Sequence, residues 1–501
     1  MALLIHGGRV LMGTPLTLQP ADILVESDRI EAVGPSLPRP AGVRSIDAGG
    51  HIVLPGLANA HTHAASHLAR GRAGNWTLED LLTYSAANYG FRTPEDEYLS
   101  AALGAIEMLK TGCTSAYDLY MAVPAITDEA FEAVVRAYTD VGMRVVLAPA
   151  MADVVFYQTV PGLLDLLPAD LRGTVAAMAP APTKGLLELS ERVIKRWHGG
   201  ADGRVRIAVA PTIPNQATDE FLDGCVRIAR EHGVGIHTHL AESKVQVIES
   251  RRRHGRTLVG RLADHGVLGP GFVGAHGVWL GDDDLRLLAD AGAAIAHNPG
   301  SNLRLGCGIA PVREMLDRGV AVGLGTDGSA CADNQNLFEA LRIASVVSTI
   351  RFPHQTGRWL DASTVWDLAT TGSARVLGQA QDLGSVAPGR KADLVLLRAD
   401  SVFLRPLNDP VNSLVYAETG TSVDMVLVGG RVIVEGGRVI TIDEDRIYDR
   451  AQAAAERQRA TSGQAWQLAT RLAPYVGAAC RAAVATPLAI DRYAASVPAG
   501  P

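Results

Sequence analysis

Lysine is scarce in this chain, at five of 46 basic residues, and 53 acidic residues leave a formal net charge of −7. No dense basic cluster occurs. A phosphate-tracking surface needs clustered cations, so nucleic acid and other polyanions are not expected partners. Cysteine is sparse too: Cys113, Cys225, Cys307, Cys331 and Cys480 are odd in number, scattered and without a C-x-x-C pair. That argues against a disulfide framework and against a thiolate zinc site, and a reducing, cytoplasmic compartment is the simplest expectation. Long apolar runs are also missing. None approaches the roughly 18 residues of a membrane span, and the start MALLIHGGRVLMG has no basic leader followed by a long apolar stretch, so neither anchor nor export signal is expected.

What is present is globular in composition. The 501 residues are 47% hydrophobic and 20% charged, enough for one large core or two to three ordinary ones. From residue 2 to about 55, ALLIHGGRVLM, DILVESDRIEAVG and HIVLPG read as short strands around Gly- or Asp-containing turns. The same texture returns in LGSVAPGRKADLVLLRA and VDMVLVGGRVIVEGGRVI, so the two ends are expected to pair into one small β domain.

Between them, brief apolar runs alternate with longer amphipathic segments, the signature of parallel βα units. Eight strands are read there: GLANAHTH, TSAYDLY, MRVVLAPAM, VRIAVAPT, VGIHTHLAE, FVGAHGV, AAIAHNP and VAVGLGTD. The fold class expected is therefore α/β, a (β/α)8 TIM barrel with a small β-sandwich domain formed from both chain ends. Its expected divisions are 1–56 and 383–445 for the two sandwich parts, 57–382 for the barrel and 446–501 for a helical tail packed on the surface or on a partner. No solenoid-like repeat is apparent.

In a parallel barrel the reactive end is where strands give way to βα loops, and the polar residues gather there. Strand one ends in His61-Thr62-His63, strand five in His237-Thr238-His239 with Glu242 beyond, and strand six in His276. Strand seven ends in His297-Asn298 and strand eight in Thr326-Asp327. Residues i and i+2 of a strand share a face, so His61 and His63 can grip one ion. His239 can add a third nitrogen and Asp327 an oxygen, a mixed set suited to zinc, or to iron, manganese or cobalt, with room for water. His237 shares the His239 face one step deeper and is read as a packing residue. His67, four past His63, falls in the first βα loop as a candidate substrate contact, whereas His6, His51, His198, His232, His254, His265 and His354 fall on other faces or in loops. VRIAVAPT carries no lysine to bridge a second ion, so one divalent ion is expected, zinc ranked first.

These residues in this order resemble the amidohydrolase superfamily, in its branch of deaminases and chlorohydrolases acting on nitrogen heterocycles. The similarity spans nearly the whole chain and is strongest in LPGLANAHTH, HTHLAES, AHGVWL, HNPGSNLRLGCGIAP and LGTDGSA. It implies His61, His63, His239 and Asp327 as metal ligands, Asp327 also as water-activating base, Glu242 as proton shuttle and His276 as the group orienting the water. It also implies that His297, Asn298, Ser301 and Asn302 shape the pocket wall. Adenosine-type deaminases of the branch follow their first histidine pair with an acidic pair and a W-L-x-x-x-I-W-P-x-E stretch; RAGNWTLEDLLTYSAANYG stands here instead, which argues against a nucleoside.

Trp76, Tyr84, Tyr120, Phe156 and Tyr157 are candidate aromatic walls for a flat ring. The expected activity is hydrolytic deamination of an amino-substituted heterocycle of purine, pterin, pyrimidine or triazine type. Dechlorination or dealkylamination of a triazine-like ring, cyclic amide hydrolysis and a non-catalytic scaffold are the alternatives. Members of such a branch are commonly dimers or larger, so a homo-oligomer is expected.

Overall fold

A computed structural model describes residues 2–39 and 42–493. The alternating N-terminal segments become β1 (Ala2–Met12), β2 (Thr17–Glu26) and β3 (Arg29–Gly34), an antiparallel meander, with β4 (Arg44–Asp47) and β5 (His51–Pro55) running parallel to β1.

After Gly56 the chain enters a ring of parallel strands: β6 (Leu57–Thr62), β7 (Cys113–Tyr120), β8 (Arg144–Met151), the broken strand β9 (Val205–Ile207) and β10 (Ala210–Pro211), β11 (Ile236–Leu240), β12 (Phe272–His276), β13 (Ala294–His297) and β14 (Ala321–Leu324). Two ladders, β6 to β10 and β11 to β14, make the ring. The His237 amide donates to the Val209 carbonyl at 2.9 Å across one seam, and the Asp327 amide to the His61 carbonyl at 2.9 Å across the other. These eight positions coincide with the eight segments read from sequence.

Local chemistry sets the helices between them. Thr93, Thr127, Thr218 and Ser243 each accept a backbone N–H at a helix start, and Gly142 and Gly233 end two helices in left-handed conformation.

The returning chain supplies β15 (Leu394–Arg398), β16 (Val423–Val428), β17 (Arg431–Glu435) and β18 (Arg438–Val439); β15 pairs with β5, so both ends share one nine-stranded sheet. Its residues alternate between two cores. Leu394 and Leu396 pack with Ile5, Ile23 and Val53, while Val395 and Leu397 join the barrel's core. Hydrogen bonding joins these strands into one sheet.

The tail forms helices Glu444–Thr461 and Gly463–Val484. They lie on the chain's own barrel, the first against helix Pro94–Lys110, the second against helices Leu78–Thr83 and Lys244–His254. Among the described residues no helix is long and apolar enough to cross a membrane.

Candidate active site

The strand ends converge on one buried cluster. His61 and His63 leave β6 two residues apart, His239 leaves β11, His276 closes β12 and Asp327 follows β14. The centroids of the His61 ring and those of His63, His239 and His276 are 4.7, 5.1 and 5.5 Å apart. Two overlapping sets, His61 with His63 and His239, and His61 with His276 and Asp327, each bring one donor atom per residue within 4.8 Å of one another.

Hydrogen bonds to the backbone orient the imidazoles. His63 Nδ1 lies 2.7 Å from the Leu119 carbonyl and His239 Nδ1 2.5 Å from the Thr212 carbonyl. A carbonyl only accepts, so both Nδ1 atoms carry the proton and both Nε2 atoms turn lone pairs inward. Those Nε2 atoms are 3.1 Å apart. Facing lone pairs at that distance need a cation between them. A proton is one solution: burial is the largest influence on His63 and pulls it down, but the hydrogen bond and charge of Asp327, 3.3 Å away, together with the Leu119 carbonyl and the charge of Asp118, raise its pKa. A divalent ion is the other, and the rest of the cluster fits it. Both ring nitrogens of His61 are buried without a hydrogen-bond partner, a cost that a bound ion would offset. Burial, with His63 beside it, holds His61 well below the ordinary imidazole range, and the same two causes bring His239 to about 3. Neutral imidazoles are the ligand form.

Two carboxyls in the cluster are pushed in opposite directions. Burial opposes ionisation of Asp327, yet the hydrogen bond from His63 and the imidazoles of His276 and His61 hold it well below the usual carboxylate range. Glu242 is driven well above that range by burial and by the charges of Asp327 and Glu79. His276 stands between them, Nε2 3.5 Å from Glu242 Oε2 and 3.8 Å from Asp327 Oδ2, with Nδ1 2.9 Å from Asn302 Oδ1. Backbone strain accompanies the cluster: Ala241, His276 and Asp327 have φ of +49°, +73° and +64°. Non-glycine residues adopt such values at a cost of about 1–3 kcal/mol each, which tertiary restraints must offset.

The other candidates fall in different places. His237 is buried beneath His61, its ring edge-on to Tyr117 at 4.3 Å. Asn298 lies beside His276, Nδ2 to Nδ1 3.5 Å, and Ser301 sits by the Cys331 thiol. None of the five expected substrate contacts, His67, Trp76, Tyr120, Asn298 and Ser301, lines the pocket above the cluster. His67 turns outward to the Ser329 hydroxyl at 2.7 Å and packs against Gly104 of helix Pro94–Lys110. Tyr120 belongs to the helix-facing set of β7, because Tyr117 and Leu119 take the barrel face and side chains alternate. Trp76 stacks on Tyr84 at 4.5 Å, with Trp466 of the tail 5.9 Å away.

The pocket above the cluster is walled instead by Leu78, Leu81, Leu82, Met121, Ile213 and Leu305. The first three share one face of helix Leu78–Thr83, and their spacing within TLEDLLTYSAANYG was the available signal. Gln335 also escaped the sequence reading. Its Oε1 accepts the Thr62 and Thr326 hydroxyls at 2.7 Å each, and its Nε2 donates to the Asp327 carbonyl at 2.7 Å, joining the first and last strand ends.

The chain is similar to known proteins over most of its length. A family model described as "Amidohydrolase family" matches residues 52–433. A 5'-deoxyadenosine deaminase of Methanothermobacter thermautotrophicus is 35% identical over 86% of this chain and 93% of its own. A 5-methylthioadenosine/S-adenosylhomocysteine deaminase of Symbiobacterium thermophilum is 37% identical over 91% of this chain and 98% of its own. Among solved structures, an atrazine chlorohydrolase of Arthrobacter aurescens complexed with zinc superposes with a TM-score of 0.81 at 30% identity, covering 90% of this chain and 100% of that one. Nucleoside deaminases are thus among the relatives despite the departure in residues 72–90.

Proposed function

The chain belongs to the amidohydrolase family, and from that premise we propose that it is a deaminase of a purine-like heterocycle, with His61, His63, His239 and Asp327 as the residues that would hold one divalent metal, zinc first. Such an ion supplies Lewis acidity that makes water nucleophilic at neutral pH.

The chain's own groups do the proton work. Asp327, kept ionised, takes a proton from the attacking water, with His276 aligned on the same water by its bond to Asn302. Glu242, kept protonated, donates to a ring nitrogen, so that the neighbouring carbon becomes electrophilic. Water oxygen bonds to that carbon, Asp327 passes the proton taken from water to the exocyclic amine, the C–N bond breaks and ammonia leaves; the hydroxyl proton of the intermediate returns to Glu242 as the ring carbonyl forms. Two carboxyls that would be alike in solution face one imidazole nitrogen here, His276 Nε2 lying 3.5 Å from Glu242 and 3.8 Å from Asp327, with their pKa values pushed in opposite directions; that arrangement is the observation that carries this reading.

The leucine-rich wall favours a ring whose substituent is of low polarity, in keeping with deoxy- or thioether-bearing nucleosides. The same wall favours a second reading, hydrolytic dechlorination or dealkylamination of a triazine-like ring. A panel of adenosine, 5'-deoxyadenosine, 5'-methylthioadenosine, pterins, pyrimidines and aminotriazines, assayed for ammonia with chloride measured alongside, tests both. Ammonia from a purine supports deamination; chloride or alkylamine from triazines alone would replace it with the second reading. Metal below about a tenth of an equivalent, with no turnover on adding zinc or iron, would remove both.

A further inference from the structure

The left-handed residues at the ends of β11 and β12 are joined to each other. The Gly277 amide donates to the Leu240 carbonyl at 3.0 Å, and the Trp279 amide to the Ala241 carbonyl at 2.8 Å. The turn that follows His276 therefore carries the backbone leading into Glu242. Two non-glycine residues of this junction, Ala241 and His276, have positive φ, and Gly277 beside them adopts it freely. Strain of that kind persists only where surrounding contacts over-determine it.

One of those contacts comes from the far end of the chain. Arg492, only 8% exposed, sends its guanidinium into the junction, where Nε donates to the Val278 carbonyl at 3.1 Å and a terminal nitrogen donates to the Leu280 carbonyl. Its own carbonyl accepts the Ile309 amide at 2.7 Å, over Gly308, where a Cβ would come within 2.7 Å of that oxygen. Ile309 lies in the loop that runs on from Asn302, the partner of His276 Nδ1. Trp279 bridges the two loops through Nε1 to the Cys307 carbonyl at 2.8 Å, and Tyr493 packs edge-on against its ring at 4.9 Å. Arg492 thus touches the loops after β12 and β13 together. The guanidinium is bonded to backbone carbonyls, and burial brings its pKa down to about 10. A buried cation so placed is costly to leave unsatisfied, which makes its position well determined.

We propose that Arg492 is a positioning residue for the active site, fixing the His276 turn and, through it, the backbone that sets Glu242. The tail is then part of the site's frame, contributed by the same chain. The kinetic consequence rests on the hydrolase reading above; the conformational one does not.

The test uses the full-length R492A protein loaded with metal. Hydrogen exchange read by mass spectrometry should quicken in 240–242 and 276–281 and stay unchanged in the strand spans 57–62 and 144–151. With the best substrate of the panel, kcat should fall about 10- to 100-fold, the loss expected when reacting groups shift by about an ångström. KM and bound metal should change little, and guanidinium added below denaturing concentrations should recover part of kcat. Should R492A fail to fold, R492K, which keeps charge but cannot span both carbonyls, is read in the same way. Unchanged exchange in 276–281 in a folded variant, or unchanged kcat, would overturn the proposal. Quickened exchange in a protein whose wild type turns over nothing in the panel would sustain the positioning role and count against the hydrolase reading alone.

Discussion

At the scale of the residue, the same carboxyl chemistry is set to two protonation states by surroundings alone. Asp327 has imidazoles on three sides; Glu242 has burial and two other carboxyls. If Glu242 is the proton donor, E242Q keeps shape and metal but has no proton to transfer, and kcat should fall by about two to four orders of magnitude. Metal analysis beside the assay separates this from loss of the ion; near-normal turnover in a metal-replete E242Q would take Glu242 out of the mechanism. His239 makes the complementary case. Replacing it with alanine removes one inward lone pair and leaves His63 Nε2 without its neighbour, so H239A should bind metal far more weakly, read by dialysis against a chelator. Retention equal to wild type would take His239 out of the ligand set.

At the scale of the element, what could be read ahead of the structure follows from periodicity. The i, i+2 spacing of His61 and His63 and the positions of His239, His276 and Asp327 at segment ends follow from strand geometry, and all five meet. His67, Trp76 and Tyr120 do not, since their surroundings come from other elements: Gly104 on a helix, Trp466 in the tail, and the helix layer outside β7. Periodicity marks which face a residue takes, but not what arrives there. Asn59 illustrates the gap: two residues before His61, it donates to the Thr326 hydroxyl at 2.7 Å, a partner 267 positions away. Gly104 offers a test at this scale. A Cβ there would sit 1.9 Å from His67 Nε2, so the helix and the first βα turn approach more closely than any side chain permits. G104A should gain helix propensity yet lose about 1–3 kcal/mol to overpacking, seen as a lower denaturant midpoint. His67 would be pushed from Ser329, two residues past Asp327, so turnover should fall as well. A G104A protein as stable as wild type would mean that His67 has room to move.

At the scale of the whole molecule, the sheet built from both chain ends is fastened to the barrel by a buried ion pair. Arg144 begins β8, and its Nε and one terminal nitrogen donate to the two carboxylate oxygens of Asp393 at 2.8 and 3.1 Å; both residues are almost fully buried. Asp393 also accepts the Gly429 amide at 2.7 Å, while its carbonyl takes the Gly56 amide at 2.8 Å, at the point where the chain passes from sheet to barrel. A buried pair of this kind adds little over a well-packed apolar pair, but removing one partner strands a charge. R144M should therefore cost about 3–5 kcal/mol, and D393L a similar amount, whereas the double variant should recover much of the loss apart from the Gly429 bond. Denaturant unfolding of the four proteins measures the coupling directly, and additive losses would show that the two side chains do not stabilise as a pair. Metal content of the folded fraction should stay the same in all four, because Arg144 lies at the opening of its strand and the metal-ligand candidates lie at the closing ends of theirs. If R144M lowered metal content in folded protein, sheet and site would be coupled through the length of the barrel.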